Sequence, residues 1–184
     1  MGAVGRLSVL IPALVLAAAA CSSPEPAAPP PGHVLYRGAG YTFTHPAGWT
    51  ERRTTDERRS PLIELHGPPG PHGAFRGQVI VARRDRYTGT MRDQLLQARA
   101  FNTVYGRQIL TDRPHRVPGA TEAHWIEAVY EERLPGGGTV QVKIVDIYAL
   151  TPKGTMLNIA VRAPSAEFAV AGLPAVLRSV RVAS

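Results

Sequence analysis

Two short runs concentrate the side chains best suited to gripping an anion. ERRTTDERRS carries Arg52, Arg53, Arg58 and Arg59, and ARRDR carries Arg83, Arg84 and Arg86. A guanidinium presents a planar fork of donors that matches a carboxylate or phosphate, which a lysine ammonium does not. Where the two runs meet in space they form a site for an acidic partner. The intervening GPPGPHGAF then supplies an adaptable lip through His72 and Phe75. The plainer reading is a solvated surface, with Asp56, Glu57 and Asp85 neutralising their neighbours.

The remaining reactive residues do not assemble into a catalytic pattern. His66 and His72 flank a Gly/Pro stretch, and Glu122 and His124 alternate onto one strand face as a surface pair. No H-E-x-x-H pair, C-x-x-C pair or carboxylate cluster at ligand spacing is present. No G-x-S-x-G elbow or S-x-x-K pair occurs. Ser60, Ser165 and Ser179 have plainer roles in a loop, at a helix start and near the end of the chain. PGGG lacks the Lys-Ser/Thr of a phosphate loop, so it reads as a hairpin. No catalytic residue, metal or cofactor is expected, and the chain is not expected to be an enzyme.

One cysteine is left, Cys21, which cannot form a disulfide within the chain. Before it, Arg6 and the amino terminus precede an uncharged apolar stretch over residues 7–20 that ends in four alanines. That is the plan of an export signal, and the stretch is shorter than the roughly 20 residues needed to span a bilayer. A cysteine directly after small residues resembles a bacterial lipobox, although Ala18 stands where leucine is usual. The expectation is a signal over residues 1–20, cut before a lipid-bearing Cys21, and an extracytoplasmic, membrane-anchored protein. The alternative is ordinary secretory cleavage nearby. Residues 21–32 contain Pro24, Pro26, Pro29, Pro30 and Pro31, and read as a disordered, semi-rigid tether of about 3 Å per residue.

The domain that must position the arginines then runs over residues 33–184. It is long enough to bury a core without disulfides. The formal charge of +7 falls to +6 when the signal, with one Arg and no acid, is removed. Only Lys143 and Lys153 are lysines, a bias that GC-rich coding produces, so arginine content alone is weak evidence for phosphate recognition. Nucleic acid is not expected as a partner, since no basic motif with interleaved aromatics appears. A monomer is expected.

Periodicity supplies the elements. VLYRG and YTFTH alternate as strands, whereas residues 51–60 show no apolar period and read as an exposed loop. PLIELH and GQVIVARRD are two more strands. Thr90 opens a helix with Asp93 at capping-box spacing, and Met91, Leu95, Ala98, Phe101 and Tyr105 form its apolar stripe up to Gly106. RQILTDRPHRV, EAHWIEAVYEERL, TVQVKIVDIYAL and MLNIAVRA continue as an antiparallel meander. Val145 and Ile147 break the alternation of Val140, Val142 and Ile144, as expected of a central strand covered on both faces. A final helix is expected from Ser165 through EFAVAG, kinked at Pro174, before an extended RSVRVAS. The order predicts an α+β domain with one central antiparallel sheet and helices packed on it.

The opening YRGAGYTFTHPAGW and closing LPAVLRSVRV resemble the start and end of PsbP-like and Mog-type domains, and with the leader the chain looks most like LpqN-type lipoproteins of actinobacteria. The resemblance covers residues 34–182. It implies an α/β/α sandwich, an accessory or partner-binding role, and no shared catalytic centre; Tyr41, Phe43, Pro46, Gly48 and Trp49 are structural in it. The expected function is therefore a non-enzymatic binding module for a protein or lipid-like component of the cell envelope, reached through the arginines. The alternatives are an envelope hydrolase or transferase with an unrecognised site, and a lipid- or solute-capture protein using a pocket between sheet and helix.

Overall fold

The computed structural model describes residues 28–56, 59–70 and 76–183. Residues 1–20, where a signal is expected, and Cys21, Arg58, His72 and Phe75 lie outside them. The described residues form ten strands and two helices. In chain order these are β1 (His33–Gly38), β2 (Tyr41–Pro46), β3 (Thr50–Thr55), β4 (Pro61–His66), β5 (Gln78–Arg84), α1 (Met91–Val104), β6 (Gln108–His115), β7 (Glu122–Arg133), β8 (Thr139–Leu150), β9 (Met156–Pro164), α2 (Leu173–Ser179) and β10 (Arg181–Val182).

Seven strands make one antiparallel sheet in the order β3-β4-β5-β9-β8-β7-β6. The expected single sheet is corrected at the N-terminus, where β1, β2 and β10 form a separate three-stranded sheet. That small sheet and α2 cover one face of the large sheet, while α1 covers part of the other. On the α2 side, Phe43, Leu173 and Val176 are fully buried against Val79, Ile147 and Ile159. On the α1 side, Met91, Leu95 and Ala98 pack on Ile126, Tyr148 and Met156. β8 is thus apolar on both faces, which explains its broken alternation: Val145 and Ile147 face α2, and Ile144 faces the other way.

Three local expectations are revised. Residues 50–55 are an edge strand rather than a loop: β3 is exposed throughout, so only backbone pairing with β4 identifies it. On α1 the capping box of Thr90 and Asp93 is present, but Phe101 and Tyr105 are exposed and Gln94 and Asn102 are buried in their place. Residues 165–172 are turns, so the final helix begins only at Leu173. Pro174 lies in its first turn, where its missing N–H leaves no bond unmade. It starts the helix and does not kink it.

Candidate functional site

Beneath α2, on its face of the large sheet, lies a cleft of about 540 Å³. Strand alternation builds its floor. Trp125 and Glu127 on β7, with Lys143 and Val145 on β8, point to this side, while their even-numbered neighbours point to α1. Leu177 of α2, Val180, and Phe168 from the turns before α2 form the roof, and Val117 closes the end. All but Trp125 among these apolar walls are at most 6% exposed. The segment holding Val117 is fixed by β10: the Val182 N–H donates to the Pro118 carbonyl at 2.9 Å. Gly119 makes this possible, because its φ of +85° is one few residues adopt and a Cβ there would stand 1.9 Å from the Val182 carbonyl oxygen.

The mouth is basic. Arg116 and Arg178 are exposed and have no carboxylate partner among the described residues, and Arg181 lies beside them, its guanidinium donating to the Val180 carbonyl at 3.0 Å. Among the described residues Glu127 is the only carboxylate lining the cleft, and Lys143 Nζ lies 2.5 Å from it and 5.2 Å from the centre of the Phe168 ring. Trp125 is held edge-on by His115 at 5.3 Å and capped by Arg113 at 5.4 Å. Burial, then the Arg113 charge, lower the His115 pKa. Ser165 Oγ is buried at this cleft with no hydrogen-bond partner among the described residues. The result is an apolar slot with an excess of positive charge at its entrance. Among the described residues no group of three or more His, Cys, Asp or Glu is arranged to hold a metal ion.

The sequence-predicted arginines lie elsewhere and on both faces of the sheet. Arg53 and Arg83 share the α2-side face and, with Arg37, Tyr36 and Tyr41, line a smaller cavity of about 300 Å³. Each already has a carboxylate: Arg53 Nε lies 2.5 Å from Glu51, and Arg83 lies 2.7 Å from Asp85. Arg84 points to the α1 side, donates to Gln94 and lies over the Tyr87 ring. Arg52 is on that side too, opposite Glu64. Arg59 and Arg86 occupy turns with positive φ. His66 lies 2.9 Å from Glu64, and His124 lies 2.6 Å from Asp112 rather than pairing with Glu122.

The residues of the cleft escaped sequence reasoning because they come from well-separated segments. The one local sign is the spacing of Arg178 and Arg181 around the apolar Leu177 and Val180.

No protein-family model matches the chain, and no curated protein matches it. Solved structures do. Cyanobacterial PsbP (CyanoP) from Synechocystis sp. PCC 6803 is 12% identical, with a TM-score of 0.54 over 88% of this chain and 98% of that one. LpqN of Mycobacterium tuberculosis, described as involved in cell envelope biogenesis, is 12% identical, with a TM-score of 0.52 over 83% of this chain and 90% of that one. The Ran-binding protein Mog1p of Saccharomyces cerevisiae is 14% identical, with a TM-score of 0.49 over 82% and 94%. The likeness to the first two is one of fold, and this chain has the PsbP-like fold.

Proposed function

We propose that this PsbP-like domain is a non-catalytic accessory module of an extracytoplasmic lipoprotein, and that it holds an amphiphile with an anionic head. The acyl or other apolar part lies in the cleft under α2, and the head is met by Arg116, Arg178 and Arg181. The observation that carries this reading is the cleft itself: apolar walls already removed from water, opening between cations that no carboxylate among the described residues neutralises. Apolar pockets with a few placed polar groups are the usual form of small-molecule sites. The arginines of β3 and β5 are weaker candidates because Arg53 and Arg83 are already matched by Glu51 and Asp85. The involvement of LpqN in cell envelope biogenesis supports an envelope setting. A diacylglyceryl Cys21 would hold the module at the membrane.

Trp125 lines the cleft and reports on it. Titration with dodecyl phosphate should shift or quench its emission, and dodecanol should bind at least about tenfold more weakly, as expected when charge-assisted hydrogen bonds are lost. Arg178→Glu with Arg181→Glu should weaken the phosphate alone, and Ala169→Trp should narrow the cleft against both. Equal binding of alcohol and phosphate, or no response from Trp125, would remove the proposal.

A further inference from the structure

The opposite face holds a second cavity, of about 740 Å³, between α1 and strands β5, β9 and β8. Its lining contains two buried polar atoms with no hydrogen-bond partner among the described residues, on Arg107 and Asn102, and a buried carboxyl with a single one. Asp146, on the central strand β8, is 6% exposed. Among the described residues its carboxyl accepts one hydrogen bond, from Asn158 Nδ2 at 2.9 Å, and makes no ion pair. Arg107, just past α1, lies over the rings of Phe101 and Tyr130, at 4.9 and 5.0 Å, and its buried Nε has no acceptor among the described residues. Asn102 donates its Nδ2 to the Ala98 carbonyl at 2.8 Å, and its buried Oδ1 has no donor among the described residues.

Asp146 and Arg107 therefore line one cavity without bonding to each other, although Arg107 is close enough to act electrostatically on Asp146; the other charged groups of the lining, Arg84 and Asp56, are engaged by Gln94 and by the Ser60 N–H. Burial pushes the Asp146 carboxyl up, consistent with a group lacking a cation in contact. An anionic ligand would satisfy Arg107 but oppose Asp146 and the Asn102 oxygen. A cationic ligand would do the reverse. What fits both ends is a molecule that carries a donor cation and an acceptor anion a few ångströms apart. At the mouth, the Phe101 and Tyr105 rings lie 4.3 Å apart, tilted by 36°, and remain 47% and 62% exposed, so they leave an aromatic surface for the rest of such a molecule. We infer that this cavity binds a free α-amino acid with an apolar side chain, its ammonium taken by Asp146 and Asn102, its carboxylate by Arg107, and its side chain by Phe101 and Tyr105. The site is on the other side of the sheet from the α2 cleft and does not depend on it.

Calorimetric titration of the full-length protein with L-phenylalanine tests the inference. The controls are phenylalaninamide, which keeps only the cation, and N-acetyl-L-phenylalanine, which keeps only the anion. The free amino acid should bind one to one, and each control at least about tenfold more weakly, the loss expected for one charge-assisted hydrogen bond. Asp146→Asn and Arg107→Gln should each reduce binding of the free amino acid similarly. Arg107 is outside the sheet and helix, so its variant carries the test if Asp146→Asn misfolds. Ala169→Trp, in the other cleft, should leave this binding unchanged. The inference is overturned if L-phenylalanine gives no binding, if either control or a neutral sugar binds as well, or if a folded variant binds as the wild type does.

Discussion

Asp112 ties α1 to β7. Arg99 of α1 donates to both its oxygens, at 2.7 and 3.0 Å, and His124 of β7 lies 2.6 Å from Oδ1. The Arg99 hydrogen bonds, aided by His124 and opposed by burial, hold its pKa at about 2. Because the folded value lies below the ordinary carboxylate value, ionised Asp112 stabilises the fold above about pH 4, and that contribution disappears as pH falls toward 2. Urea denaturation between pH 5 and pH 2 should show wild-type stability falling more steeply than that of Asp112→Asn, with the variant less stable at neutral pH. Parallel curves would mean the contact is energetically idle, as many exposed ion pairs are. Neither partner of Asp112 could be chosen from sequence. Glu122 is the nearer acid to His124 along the chain, but antiparallel pairing of β6 with β7 brings Asp112 beside it instead.

At the level of elements, α1 shows what periodicity conveys and what it hides. Its start was legible because Thr90 and Asp93 bond each other's backbone amides. Thr90→Ala should cost about 1 kcal/mol, while Leu95→Ala, which opens a hole against the sheet, should cost roughly 2–5 kcal/mol. Thermal and denaturant unfolding would separate the two, and equal losses would mean the cap is not local. The C-terminal half of α1 misled because it roofs a polar cavity: Asn102 turns inward there, and Phe101 and Tyr105 are left outside. The strand β3 was hidden for a different reason. It has one neighbour and no buried side chain, so nothing in its residue types marks it, although its charges suit an edge that must not pair with other chains.

For the whole molecule, the layered α+β arrangement was legible from element order, together with the opening and closing motifs. The α2 cleft was not, since Val117, Trp125, Lys143, Phe168, Leu177 and Arg181 meet only once the sheet and its cover are assembled. Attachment to a membrane is a separate matter from the fold: among the described residues no helix is long and apolar enough to cross one. If Cys21 carries two acyl chains, it anchors stably where one chain would not. Cys21→Ser should then move the protein from the membrane to the soluble fraction, or leave an uncut precursor, and unchanged partitioning and maturation would rule the anchor out. The seam between β5 and β9 carries a last consequence, for the order in which the chain can fold. The meander β7–β8–β9 closes through short turns, but β5 must find β9 across 82 residues, Val79 pairing with Val161. Such distant pairings form slowly. A polypeptide delivered N-terminus first therefore has to hold β3, β4 and β5 unfinished until β9 has emerged, and β9 in turn presents a bare, apolar strand edge until they arrive.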